Sequence, residues 1–176
     1  MTAIADAAAV SVETIYLSIG AKAAVVRYLV ETALSGTDEP VPAEERDWVQ
    51  KFKSEPDSRL KVRLHAAPAV RALHERVAPI WEILLEAAPG DTELTSLIGE
   101  LNQRRLRHMR LMIQDLAAAG GLRSGLTPDM GADILWATNS TEFFLLLVHE
   151  RGWHPETFER WLGQTWIDIL LPERPG

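Results

Sequence analysis

The chain has 176 residues, a formal net charge of -7 and no cysteine. That length can bury a proper core, while the missing thiols exclude a disulfide framework, a cysteine nucleophile and cysteine-ligated metal. The longest unbroken apolar run, 143–148, is far too short to span a bilayer, and no basic stretch precedes an apolar one at the N-terminus, so a cytoplasmic protein without membrane attachment is expected.

Apolar residues recur at helical spacing and nowhere alternate for long, which predicts an all-α chain of about nine helices. A small-residue helix over 4–9 comes first. A turn, a short helix capped by Ser11 and a helix over 21–34 closed by Ser35 and Gly36 follow. Residues 37–41 read as a linker between a head at 1–35 and a body at 42–176. Pro42-Ala43-Glu44-Glu45 is expected to open a helix, with proline in its first turn and carboxylates at its positive end. Over 57–88 the pattern stays helical, with kinks or breaks expected near Pro68 and Pro79. Asp91 caps a helix running to about 119, ended by Gly120-Gly121. Thr127 caps another running to about 150, and Pro155 opens a last one reaching about 171.

The two final helices carry the densest apolar content. A helix that is apolar nearly all round must be covered on every side, and one layer of neighbours in a chain this small is not expected to suffice; the alternative is the core helix of a monomer. The expectation is a homodimer in which two helices from each chain make a four-helix bundle, with Phe144, Leu147, Phe158, Trp161, Leu162, Trp166 and Ile169 at the interface.

The pattern Ile4-Ala5-x-x-Ala8-x-Val10-Ser11-x-x-Thr14-x-Tyr16, followed by Gly20-x-Lys22, resembles the DNA-binding head of the tetracycline-repressor (TetR) family. The rest of the chain, by helix order and by Asp133-Ile134-Leu135-Trp136 and His149-Glu150-Arg151-Gly152-Trp153, resembles that family's ligand-binding and dimerising body. The resemblance implies a helix-turn-helix head whose second helix enters the major groove. There Ser11 would cap the recognition helix, Val12, Glu13, Thr14 and Leu17 would face bases or phosphates, and Tyr16 and Lys22 would reach the phosphate backbone. It implies a transcriptional regulator, a repressor, that acts as a homodimer on a palindromic operator and is modulated by a small-molecule effector. The chain departs from the family at Ala9, where glycine is usual, at Ser18-Ile19 in place of a histidine-phenylalanine pair, and at Ala21 in place of a capping serine. Aligned on the motif, Met1 falls one residue after a family threonine. The three-helix head is therefore incomplete as written, and the natural protein is expected to begin a helix earlier.

Residues 1–35 hold Lys22 and Arg27 against Asp6, Glu13 and Glu31, a net of -1, which disfavours nonspecific DNA binding. The alternative is accordingly a ligand-binding helical dimer whose truncated head no longer binds DNA. No histidine has a glutamate three residues before it, so a di-iron bundle site is not expected. There is no phosphate loop or nucleophile elbow, and neither catalysis nor a cofactor is expected. By position, the effector candidates are His65, Trp81, Met109, Met112, Trp136, Asn139 and Phe143, with His65 and Asn139 foremost because a polar group on an apolar face needs a partner. The arginines at 104, 105, 107 and 110 spread around one helix and read as a solvated, ion-paired face.

Overall fold

The computed structural model describes residues 1–173, and every regular element among them is helical. Three helices lead: α1 (Thr2–Ala7), α2 (Val12–Ser18) and α3 (Lys22–Ser35). The Ser11 hydroxyl accepts the Thr14 amide N–H at 3.0 Å and caps α2. The chain turns from α1 into α2 through Ala9 at φ +53°, a left-handed conformation that glycine adopts without steric cost. Ala5, Ile15 and Val25 form a small core between the three helices, with Met1 and Val12 packed against it.

Residues 36–42 carry no helix and are tied back to α3: Tyr28 donates its hydroxyl to the Asp38 carbonyl at 3.2 Å, and Ser35 donates to that of Glu39 at 3.2 Å. The helix expected from Pro42 is delayed. Ala43–Glu45 makes one 3-10 turn and Arg46 is extended, so α4 spans Asp47–Ser54. Next, α5 (Ser58–Leu60), capped by Asp57, runs through a π-helical stretch, Lys61–Ala66, into α6 (Ala67–Ala87). Neither proline breaks this run. Pro68 lies in the first turn of α6, and Pro79 lies inside it on the exposed side, where the Glu75 carbonyl it leaves unpaired can meet water.

Asp91 caps α7 (Thr92–Gly120) by accepting the Glu93 and Leu94 amides at 3.1 Å. Thr127 caps α8 (Pro128–Thr138). The helix expected to run on to 150 instead breaks at Asn139. Ser140 caps a new short helix, α9 (Thr141–Phe144), which widens into a second π-helical stretch, Leu145–Glu150. Thr138 donates its hydroxyl to the Ile134 carbonyl at 2.7 Å and Ser140 accepts the Phe143 amide at 3.0 Å, side-chain bonds that compete with the helical ladder. Last comes α10 (Pro155–Leu170).

Two larger apolar clusters lie behind these elements. One joins the second half of α7 to α8, α9 and α10; the other joins α3 to the facing halves of α6 and α7. Helix α8 lies so close on α7 that a Cβ at Gly131 would fall 2.7 Å from the Ile113 side chain. The first cluster corrects the expected interface. Phe144, Phe158, Leu162 and Trp166 are no more than 1% exposed within the single chain, leaving no surface for a partner. Because the chain breaks at Asn139, α9 packs onto α6 instead of prolonging α8, and α10 closes over the same face. Leu147 is half-buried, while Trp161 and Ile169 are exposed. No helix among the described residues is long and apolar enough to cross a membrane.

Candidate functional site

A cavity of about 520 Å³ lies where the two larger clusters meet, a volume typical of small-molecule sites. Its origin is visible in two helical stripes. On α6, Val70, His74, Val77 and Trp81 recur at helical spacing and face inward. On α7 the buried stripe of Leu94, Leu97 and Leu101 resumes only at Met109, Met112 and Ile113. In the gap stand Arg104, Arg105 and His108, which turn polar groups toward the same space. Helix α3 adds Val30 and Leu34, α4 and its entry add Arg46, Trp48, Val49 and Phe52, and the α8–α9 break adds Asn139 and Thr141.

One wall is a closed polar network. Asn139 Nδ2 donates to Met109 Sδ at 3.4 Å, leaving Asn139 Oδ1 to accept from His74 Nε2 at 3.0 Å. That assigns the imidazole proton to Nε2, so Nδ1 accepts the Thr141 hydroxyl at 3.3 Å. Burial pushes the His74 imidazole down to about 4 against the supporting hydrogen bond from Asn139, and nearby Arg105 lowers it further. Hydroxyl, imidazole and amide stand in the order of a nucleophile, base and orienter. With its proton affinity lowered by burial, the imidazole is neutral at neutral pH and each of its nitrogens is engaged, Nε2 by Asn139 and Nδ1 by Thr141.

The opposite side carries positive charge. Arg46 donates from Nε and Nη2 to the Val41 carbonyl at 3.3 and 3.2 Å. Burial, then the charge of Arg104, holds this guanidinium below its ordinary value. Arg104 Nη1 pairs with Glu31 Oε1 on α3 at 2.6 Å. His108 is likewise lowered by burial first and then by Arg104 and Arg46. Arg105 stands apart, donating to the Asn139 carbonyl at 3.1 Å with its guanidinium 4.9 Å over the Trp136 ring. Its buried Nε has no partner, and nor does Oε2 of nearby Glu142, whose Oε1 accepts the Trp81 indole N–H at 2.9 Å. Thus Arg104 and Arg105 face inward, contrary to the expectation of a solvated face; Arg107 and Arg110 are exposed.

Of the expected effector contacts, Trp81, Met109, Met112 and Asn139 line the cavity. Three do not. His65 sits half-buried in the first π-helical stretch, Trp136 lies behind Arg105 with its indole donating to the Asn102 carbonyl at 3.2 Å, and Phe143 stacks on Trp161. The histidine paired with Asn139 is His74. The signal for it was its place on the α6 stripe between Val70 and Val77.

In the leading helices, Ser11, Glu13, Thr14, Tyr16 and Leu17 are exposed along α2, Leu17 more so than Tyr16. The Ser11 and Thr14 hydroxyls also bond each other at 2.8 Å. Val12 does not project outward: it packs against Ala5, Ile15 and Val25, because the inward face of so short a helix must include its first turn. Lys22 Nζ is paired with Asp91 Oδ2 at the start of α7, 3.1 Å away. No group of three histidine, aspartate or glutamate side chains among the described residues could hold a metal ion. Comparison with protein-family models, with curated proteins and with solved structures gives no match.

Proposed function

We propose that the chain is a one-component transcriptional regulator resembling the TetR family, in the role of a repressor, and that a small molecule in the central cavity modulates its grip on operator DNA. One observation carries this reading: α3 takes part at both ends. Its Val25 belongs to the small core that seats α2, and its Val30 and Leu34 line the cavity. A ligand that displaces Val30 and Leu34 moves a rigid helix, and with it the seat of α2. The exposed row of Ser11, Glu13, Thr14, Tyr16 and Leu17 is what α2 would offer to the major groove. The reading includes a homodimer through Leu147, Trp161 and Ile169, joined by the exposed Leu146, and hence a palindromic operator with half-sites separated by whole helical turns. Selection of the full chain against random-sequence DNA tests it. An enriched inverted repeat is expected, and recovery of no sequence preference by the folded protein overturns it.

The Lys22–Asp91 pair favours a second reading, a ligand-binding helical dimer that does not bind DNA. The one lysine placed to meet a phosphate is held by the body, and residues 1–35 are net negative. The same selection separates the two.

A further inference from the structure

The cavity's charge says what kind of molecule it holds, granted that it is the effector site proposed above. Arg46, Lys53, Arg104 and Arg105 line it against Glu44 and Asp115, in a chain whose net charge is -7. The imbalance is concentrated at the α4–α7 side. Arg46 forms no ion pair among the described residues; both of its hydrogen bonds go to one carbonyl, leaving Nη1 free. Arg104 uses Nη1 on Glu31 and keeps Nη2 free. His108 completes the cluster; burial first, and then the charges of Arg104, Arg46 and Arg107, lower its proton affinity against the opposing charge of Glu44. Arg46 and Arg104 are partly buried and close enough for their charges to oppose each other, and an anion between them offsets that repulsion. Val70, Leu73 and Val77 on α6 and Met112 on α7 add apolar surface to the lining beside the His74 network.

We propose that the cavity binds an amphipathic carboxylate, its apolar body between α6 and α7 and its carboxylate against Arg46, Arg104 and His108, in competition with Glu31 for Arg104. Planar guanidinium groups suit a carboxylate better than any neutral head group. The competition gives the ligand a direct hold on the head, because Glu31 belongs to α3.

Trp48 and Trp81 line the cavity, so titration of tryptophan fluorescence in the full chain reads its occupancy. The probes are decanoate, 1-decanol and decylammonium below their micellar concentrations, with 2-naphthoate and 2-naphthamide as a ring-shaped pair. Each carboxylate is expected to bind about tenfold or more tightly than its neutral counterpart, the worth of a charge-assisted hydrogen bond. Arg46→Gln and Arg104→Gln should each remove most of that advantage and leave decanol binding intact, which also reports correct folding. Glu31→Gln, by freeing Arg104, should tighten decanoate several-fold. If decanol or decylammonium binds as tightly as decanoate, the carboxylate assignment is overturned while the effector site stands. If no probe binds, the effector site and the carboxylate fall together.

Discussion

Val25 and Val30 lie less than two turns apart on α3, yet they belong to different cores. Val25 packs with Ala5 and Ile15 beneath α2, whereas Val30 packs with Val77, Trp81 and Leu101 beside the cavity. The helix is further tied to α6 and α7 by polar contacts along its length. Lys22 meets Asp91 at 3.1 Å, Arg27 meets Glu100 at 2.5 Å, Glu31 meets Arg104 at 2.6 Å, and the Ala33 carbonyl accepts from Arg76 Nε at 2.8 Å. The Lys22 and Arg27 pairs are exposed and contribute little stability singly, while the Glu31–Arg104 pair is part-buried; on the proposed reading, their consequence is that α3 would follow a movement of the cavity wall.

The buried neutral imidazole of His74 makes stability depend on pH. Its folded value, about 4, lies below the ordinary 6.5, so the unfolded chain takes up the proton first as pH falls. The stabilisation is whole above about pH 6.5 and is lost as pH falls toward 4; below that His74 adds no further slope. The drop corresponds to about 3 kcal/mol. Urea denaturation of the protein and of His74→Gln between pH 4 and 7 should show a shallower pH dependence in the variant.

Lys61 is 2% exposed, yet its ammonium has three oxygen partners: the Phe52 carbonyl at 2.6 Å, the Lys53 carbonyl at 3.1 Å and Asp115 Oδ1 at 3.3 Å. It closes the C-terminal end of α4, where a cation is favoured. Lys61→Met keeps the stem and removes the charge, orphaning those acceptors. A loss of about 3 kcal/mol in chemical denaturation is expected; an unchanged midpoint would show that water replaces the ammonium.

At Ala9 the left-handed backbone costs a residue with a Cβ about 1 kcal/mol. Ala9→Gly should recover part of that, offset by the greater freedom of glycine in the unfolded chain. The gain should appear as slower amide exchange at Ile15 and Val25, in the small core, more than as a higher melting temperature.

Asp91 caps α7 and also holds Lys22. The Leu94 amide and then Lys22 keep its carboxyl below the ordinary carboxylate range. Asp91→Asn retains an oxygen for the cap and loses the charge that holds Lys22. If the chain reads DNA, this variant should bind its selected site several-fold more tightly by fluorescence anisotropy, with a steeper salt dependence from the added phosphate contact.

Much of the local structure was legible because it depends on neighbours in the chain. Ser11, Asp91 and Thr127 cap the helices they precede, Gly36 ends α3, and Ala9 takes the strained turn. What was not legible depends on which surface covers which. Phe158 and Trp166 form a stripe that α6 of the same chain or a second chain could cover equally well, and only the three-dimensional packing assigns them to their own chain. The break at Asn139 was hidden within a long apolar pattern. His65 and His74 are nine residues apart, two and a half helical turns, so they fall on opposite faces and only His74 shares the α6 stripe with Val70 and Val77. Of the cavity, Trp81, Met109, Met112 and Asn139 were readable; the inward arginines were not, because spacing alone gives no direction to a long charged side chain.

The central claim is that filling the cavity is felt in α3 and α2. The absence of cysteine from the chain permits a direct test. A single cysteine in place of Leu73, on the cavity wall, can be alkylated with a naphthyl maleimide, and hydrogen exchange compared before and after. The account predicts altered exchange in Lys22–Ser35 and Val12–Ser18 as well as in the labelled wall. A change confined to α6 and α7, with α2 and α3 untouched, would contradict it.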